Sequence, residues 1–140
     1  MKRFELDINE SSWEDNLSLA PETAGIYFAY ACYRGEAESG WFSGPLVYIG
    51  EASNLRQRLS DHYALRDNHD GLAARYEKIW YTYARYAGSE SDRRWCEAAL
   101  IFKHKPPQND QNVQSFGYAT TEIVLRGETR GLVPTFVIAE

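Results

Sequence analysis

A set of polar side chains, spread through this 140-residue sequence, has the groups that phosphodiester hydrolysis requires. Arg58 and His62 stand four residues apart in a predicted helix, so they share one face of it. An arginine can bind a phosphate and offset its growing negative charge. A hydroxyl or an imidazole can orient or deprotonate an attacking water. In chain order the candidates are Tyr27, Tyr48, Arg58, His62, Glu97 and Asn109.

Glu97 is the strongest single candidate, because its neighbours in the sequence are mostly apolar. It lies within residues 95–101 (WCEAALI), in the middle of the longest predicted helix. A carboxylate in such a stretch needs a partner, and a divalent cation is a good one. We therefore predict one metal ligand, Glu97, for one Mg²⁺ or Mn²⁺ ion.

Each candidate also has an ordinary structural interpretation when it is taken alone. The sequence holds ten tyrosines, so any one of them is expected to serve packing. Arg58 alone would be a solvated helix charge, and His62 a surface or core histidine. Asn109 alone would be a turn residue, with Asn112 close by. Only the ordered set favours a site.

The elements that must position these residues predict an α+β domain. Tyr27 and Tyr48 fall on neighbouring strands of a predicted hairpin, so their hydroxyls can meet. Asn54 is the expected N-cap of the helix that bears Arg58. Ser89 or Ser91 is the expected N-cap of the longest helix. Predicted strands cover residues 2–8, 25–33, 46–50, 79–87, 118–125 and 132–138. Short helices are predicted after Ser11, which opens a capping-box pattern, and over 71–78, and residues 34–45 are predicted as a loop.

Several motifs of this set resemble those of the GIY-YIG endonuclease superfamily. Residues 25–27 (GIY) and 48–50 (YIG) look like the two motifs that name it. Residues 54–59 (NLRQRL) resemble the next motif, in which Arg58 would be the essential arginine. The resemblance spans about residues 24–112, and five ordered matches are far more specific than GIY alone.

Three further positions agree with this resemblance. His62 matches a position that the family fills with His or Tyr, and Glu97 matches the single metal ligand. Asn109 matches the asparagine after the family's Lys-Pro stretch, here Lys105-Pro106-Pro107. Glu51, after YIG, departs from the lysine of many members. It would raise the pKa of a neighbouring tyrosine or act as an accessory metal ligand.

The resemblance implies a small central three-stranded sheet flanked by helices. We expect one domain over residues 1–140, with extra C-terminal strands at about 117–139 forming a β-hairpin. It also implies a metal-dependent endonuclease that hydrolyses nucleic acid, expected to be DNA, with a motif tyrosine as the usual base. The alternative is a catalytically weak or inactive nucleic-acid-binding module that acts with a partner protein; a homodimer is also open.

The charge distribution bears on that choice. The net charge is −5, whereas nucleic-acid binders are usually basic. Residues 54–105, however, carry ten Lys or Arg against seven Asp or Glu. The cations expected to contact nucleic acid are Arg56, Arg58, Arg93 and Arg94.

The sequence also predicts the compartment. It has no apolar run of transmembrane length, and residues 1–7 alternate charged and apolar side chains instead of forming the apolar core of a signal peptide. Cys32 and Cys96 each stand among apolar neighbours and are expected to pack as thiols. We therefore expect a cytoplasmic protein with no membrane partner.

Overall fold

The computed structural model describes residues 1–34, 40–66 and 71–140, and it is an α+β fold, as predicted. The predicted loop at 34–45 lies partly outside these residues, and its last part is strand. The predicted helix at 71–78 is a single 3₁₀ turn, Leu72–Arg75. The elements are β1 (Lys2–Ile8), β2 (Glu10–Trp13), β3 (Gly25–Arg34), β4 (Trp41–Ala52), α1 (Leu55–Ala64), the 3₁₀ turn, β5 (Lys78–Arg85), α2 (Glu90–His104), β6 (Thr121–Gly127) and β7 (Thr135–Ile138).

The central sheet has four strands, not the predicted three, in the order β2-β5-β3-β4. The extra strand is β2, where the capping-box pattern predicted a helix. Its residues pair antiparallel with β5, Trp13 opposite Trp80, and the Ser12 hydroxyl hydrogen-bonds the Tyr83 hydroxyl at 2.7 Å. The local capping signal is thus overridden by pairing with a strand some 70 residues away.

The predicted C-terminal hairpin forms, but it belongs to a second sheet. Strands β6 and β7 pair antiparallel, and β1 pairs parallel with β6 over its whole length, from Lys2 opposite Thr121 to Ile8 opposite Gly127. Their apolar side chains Leu6, Ile8, Ile123 and Phe136 join the core. The two ends of the chain therefore close over one side of the central sheet.

Strand β3 lies between β4 and β5 and divides the core into two faces. Ile26, Phe28 and Tyr30 point to one side, where they pack with α2 and the second sheet. Tyr27, Ala29 and Ala31 point to the other side, where they pack with α1. We call the first the aliphatic face and the second the tyrosine face. The division follows from the period of two along a strand.

Two motif glycines are required by close packing on these strands. A Cβ at Gly25 would lie 2.3 Å from the Ala84 carbonyl oxygen and 2.7 Å from the Leu55 Cδ1 of α1. A Cβ at Gly50 would lie 2.3 Å from the Tyr27 hydroxyl, because the two residues are directly opposite in the β3–β4 pair. The glycines of GIY and YIG therefore make room for α1 and for the Tyr27 ring.

Both helices begin at the predicted caps. The Asn54 side chain accepts a hydrogen bond from the Gln57 N–H, and the Ser89 hydroxyl from the Asp92 N–H. Helix α2 ends at Lys105, whose φ of 47° is left-handed, just before Pro106. Both cysteines are buried thiols, as predicted. No helix within the described ranges is long and apolar enough to cross a membrane.

Candidate active site

One cavity of about 350 Å³ brings together four of the predicted residues from four different elements. They are Tyr27 of β3, Tyr48 of β4, Arg58 of α1 and Glu97 of α2. The tyrosine rings lie 6.0 Å apart, centroid to centroid. The Arg58 guanidinium is close enough to both hydroxyls to affect their pKa values. The two motif tyrosines therefore lie side by side, as predicted, and the arginine shares their cavity.

His62 lies behind this cavity, in contact with Tyr27. Its Nε2 is 2.8 Å from the Tyr27 hydroxyl, and the imidazole is buried between the Tyr27, Tyr48 and Tyr81 rings. Burial, with the Arg58 charge, lowers the pKa of His62 to about 4. His62 is therefore neutral at pH 7, and can accept a hydrogen bond from the phenol at one ring nitrogen.

The two tyrosines differ in how deeply they are buried. Tyr27 is fully buried, and burial raises its pKa well above that of a free phenol, assisted by Tyr48 and opposed by Arg58. Tyr48 is partly exposed to the cavity; burial and the Glu97 charge raise its pKa, and Arg58 lowers it. Both hydroxyls therefore hold their protons at neutral pH, and a cation at Glu97 would oppose the effect of that carboxylate on Tyr48.

Glu97 is a half-buried carboxylate with a disfavoured negative charge. Burial and the nearby Glu51 charge raise its pKa to about 7, although the Glu51 backbone and the Arg94 and Arg58 charges act in the opposite direction. Within the described part of the chain, no group of three or more His, Cys, Asp or Glu residues could enclose a metal. Mg²⁺ commonly uses one or two carboxylates, waters and substrate oxygens, so a lone carboxylate that needs a counter-charge fits such an ion.

The expected effect of Glu51 on a neighbouring tyrosine is corrected by the structure, whereas its role as an accessory metal ligand stays a prediction. Its carboxylate accepts a hydrogen bond from Arg93 Nε at 2.6 Å, and Arg94 lies 3.8 Å away. The pairing with Arg93 already compensates its charge. Glu51 is not among the groups that raise the pKa of Tyr27 or Tyr48; it acts on Glu97 instead.

The predicted nucleic-acid contacts divide into two kinds. The Arg93 side chain is only 6% exposed and is bound to Glu51, so it is an internal counter-charge and not a surface contact. Arg56 donates hydrogen bonds to the carbonyl oxygens of Ala20 and Ser18, which tie α1 to the segment before β3. Arg58 faces the cavity, and Arg94 is 60% exposed, 3.8 Å from the Glu51 carboxylate that lines the cavity. For Arg58 and Arg94, contact with nucleic acid stays a prediction.

Asn109 was predicted to be catalytic, but its side chain is directed to backbone. The amide oxygen accepts from the Ile49 N–H at 3.0 Å, and the amide nitrogen donates to the Ile49 carbonyl at 2.9 Å. The two bonds fix the outer edge of β4 next to Tyr48. Among the described strands β4 is an edge strand, so Asn109 supplies hydrogen-bond partners on that side, and its catalytic role stays a prediction.

Several polar residues of the cavity were missed by the sequence analysis. Gln57 and Asp61 of α1 line it beside Arg58, and Gln57 Nε2 donates to Asp61 at 2.8 Å. Glu90, at the start of α2, lines the opposite wall. Asp61 could have been found from helical periodicity, because it stands three positions after Arg58, and Gln57 stands four positions before Asp61.

Sequence similarity to known proteins is limited to part of the chain. No family model matches it. UvrABC system protein C of Thermosipho africanus is 36% identical over 63 residues, 45% of this chain and 11% of that protein. The same protein of Methylococcus capsulatus is 33% identical over 70 residues, 48% of this chain. The chain thus spans about a tenth of the length of these curated relatives.

One solved structure is also similar, at 22% identity and a TM-score of 0.44. It is the GIY-YIG N-terminal endonuclease domain of UvrC from Thermotoga maritima, a point mutant bound to its catalytic divalent cation, and the match covers 68% of this chain and 91% of that one. The similarity to UvrABC system protein C extends over less than half of this chain. The cavity gathers the two motif tyrosines with the arginine and the glutamate on which the resemblance to the GIY-YIG endonuclease superfamily was based.

Proposed function

We propose that this chain is a metal-dependent endonuclease that hydrolyses phosphodiester bonds of nucleic acid, with DNA as the expected substrate. One observation carries the proposal: Tyr27, Tyr48, Arg58 and Glu97 meet in one cavity although they come from four elements. Packing alone does not require an arginine and a carboxylate to share a cavity with two phenols. Phosphodiester hydrolysis requires an electrophile, a metal ligand and a group that orients water.

The residues have distinct roles in this reaction. Glu97 would hold one Mg²⁺ or Mn²⁺ ion, which supplies Lewis-acid polarisation of the phosphate. Arg58 would bind a non-bridging phosphate oxygen and stabilise the charge that develops on it. Tyr48, which faces the cavity, would orient the attacking water. Tyr27, held by His62 at 2.8 Å, can accept a proton from that water while passing its own to the imidazole.

A second candidate is a binding module that has lost its chemistry and acts with a partner protein. The net charge of −5 and the carboxylates of the cavity favour it, because both oppose tight binding of a polyanion.

The cytoplasmic location, the single-domain boundaries and a homodimer stay predictions.

A nicking assay with Mg²⁺ or Mn²⁺ separates the two functions. We expect cleavage by the wild type, and a loss of about three orders of magnitude in Glu97→Ala, since a bound cation supplies several kcal/mol to the transition state. Binding of nucleic acid should largely survive this change. Asp7→Asn, which removes an exposed carboxylate of the second sheet, is the matched control and should cleave normally.

Two outcomes would contradict the proposal. If the wild type binds nucleic acid but cleaves none with either metal, the binding module is correct. If Glu97→Ala still cleaves and EDTA still inhibits it, the metal is held elsewhere.

A further inference from the structure

A second cavity, of about 580 Å³, adjoins the catalytic one and shares Tyr48 and Arg58 with it. His62 of α1 and Leu65, the C-cap of α1, form one wall. Leu72 and Arg75 of the 3₁₀ turn form another. The segment after α2 closes it with Pro107, Gln108 and Asp110. A strand whose phosphate is bound by Arg58 can therefore continue directly into this space.

The two cavities differ in charge. The catalytic cavity is lined by the carboxylates of Glu51, Asp61, Glu90 and Glu97 and by two arginines, so it suits a cation. Among its described lining residues, the second cavity has Arg58, Arg75 and one carboxylate, Asp110. Arg75 is exposed, and it pairs with no carboxylate in residues 1–34, 40–66 and 71–140. The described lining of the second cavity therefore suits the anionic backbone next to the scissile phosphate better than the carboxylate-rich lining of the catalytic cavity does.

The remaining lining of the second cavity suits a nucleobase. Leu72 and Pro107 supply apolar contact. Gln108 is fixed in place, because its backbone N–H donates to the Val47 carbonyl at 3.0 Å and its side-chain amide donates to the Tyr76 hydroxyl at 3.0 Å. The Asp110 carboxylate is exposed at the mouth and can accept from an amino group on a base edge. Extruded bases are bound by such apolar contact and edge hydrogen bonds.

We propose that this second cavity is a subsite for one unpaired nucleotide beside the scissile phosphate. Arg75 binds the phosphate of that nucleotide, Leu72 and Pro107 contact its base, and Asp110 with Gln108 contacts the base edge. A base that is paired and stacked in a duplex cannot reach this lining without leaving its stack. The substrate class is therefore nucleic acid with an unpaired nucleotide next to the cut, such as a single strand or a bulge. The inference rests on the proposed function.

Binding is measured first, on Glu97→Ala protein, so that the result does not depend on cleavage. A fluorescent single-stranded oligonucleotide and its perfect duplex are titrated at several salt concentrations. We expect the single strand to bind about tenfold more tightly than the duplex. Adding Arg75→Ala should weaken single-strand binding by about tenfold and reduce the salt slope by about 0.7 to 1, the value of one phosphate contact.

Arg126→Ala is the control, because it removes one exposed arginine on the second sheet, away from both cavities. It should leave affinity and slope unchanged. Equal binding of single strand and duplex, or an Arg75→Ala slope equal to that of the control, would overturn the subsite.

Cleavage then tests the base contact with wild-type protein. Substrates that carry one abasic position are compared with the intact strand. We expect about a tenfold higher KM, with little change in kcat, when the missing base is the one beside the cut. A KM independent of the abasic position would overturn the subsite. An inactive wild type whose binding still depends on Arg75 would reject the nuclease and keep the subsite.

Discussion

The two faces of the central sheet are built from the same strands but differ in chemistry. On the aliphatic face, Ile26 and Phe28 pack with Ile49, α2 and the second sheet in a cluster of mostly apolar side chains. On the tyrosine face, Tyr27 contacts His62, Tyr48 and Tyr81 within 6.0 Å, centroid to centroid. Neighbouring residues of β3 therefore supply stability on one side and reactive groups on the other.

The difference between the two faces shows that the polar groups of the site are buried on the tyrosine face. The tyrosine face buries His62 in neutral form and two phenols with raised pKa, so burial keeps them protonated until substrate and cation arrive. Its packing partner is α1, a short helix that carries Arg58 toward solvent. The aliphatic face is covered by α2 and by strands from both chain ends, which provide a rigid support for that arrangement.

The largest expected effect is on stability, from Phe28→Ala on the aliphatic face. Truncating a fully buried phenylalanine should lower the free energy of unfolding by about 3–5 kcal/mol, through lost burial and the cavity left behind. Chemical denaturation measures this. Tyr27→Phe, one residue away, should lose much less stability while cleaving far more slowly. Equal stability losses in the two variants would contradict the division between the faces.

Arg58→Ala should act on the reaction and not on the fold. We expect a loss of about 3–4 kcal/mol of transition-state stabilisation, about 10²–10³-fold in rate, as when one preorganised donor is removed. Because Arg58 is exposed to the cavity, the denaturation midpoint should change little. Single-turnover cleavage is the measurement, and Arg126→Ala is the control. A loss below tenfold would leave Arg58 as a surface charge.

Asn109→Ala should lower both stability and cleavage rate modestly, because the Asn109 side chain is bound to the edge strand β4 next to Tyr48. Removing its amide leaves the Ile49 N–H and carbonyl without their partners, at a cost of about 1–3 kcal/mol in the free energy of unfolding. Cleavage should fall because Tyr48 is next to Ile49. Gln111→Ala, which truncates an exposed side chain two residues on, serves as the control. A variant with full stability and no activity would instead make Asn109 a catalytic residue.

The smallest effect is the pH dependence of metal binding. Glu97 has a pKa raised to about 7 by burial and by the Glu51 charge, and a cation binds only its ionised form. Below pH 7 protons compete with the metal, so Mn²⁺ affinity should fall about tenfold per pH unit; above pH 7 it should level off. Calorimetric titration at several pH values tests this. In Glu51→Gln the pH at which metal affinity levels off should be lower, because the charge that raises the Glu97 pKa is removed. A wild-type pH dependence centred near pH 4.5 would contradict the raised pKa of Glu97.

Much of the site was predictable because its signals are local. The period of two in β3, the spacing of Arg58 and His62, and the caps at Asn54 and Ser89 depend on neighbouring residues alone. The apolar context of Glu97 likewise marked it for a polar partner. The structure confirmed where these residues stand relative to one another, while their catalytic roles stay predictions.

What the sequence by itself determined is therefore the type of each element and the reactive groups it can present. Only the tertiary structure decided which group neutralises which. Glu51 meets Arg93 across 42 positions, Asn109 meets Ile49 across 60, and β1 pairs with β6 across nearly the whole chain. The physical reason is that a residue's preference for helix or strand depends on its own backbone and near neighbours in the sequence. The residue that its side chain contacts depends instead on how separate elements pack. The same packing placed Arg75 and Asp110 beside the catalytic cavity, which no local pattern indicated.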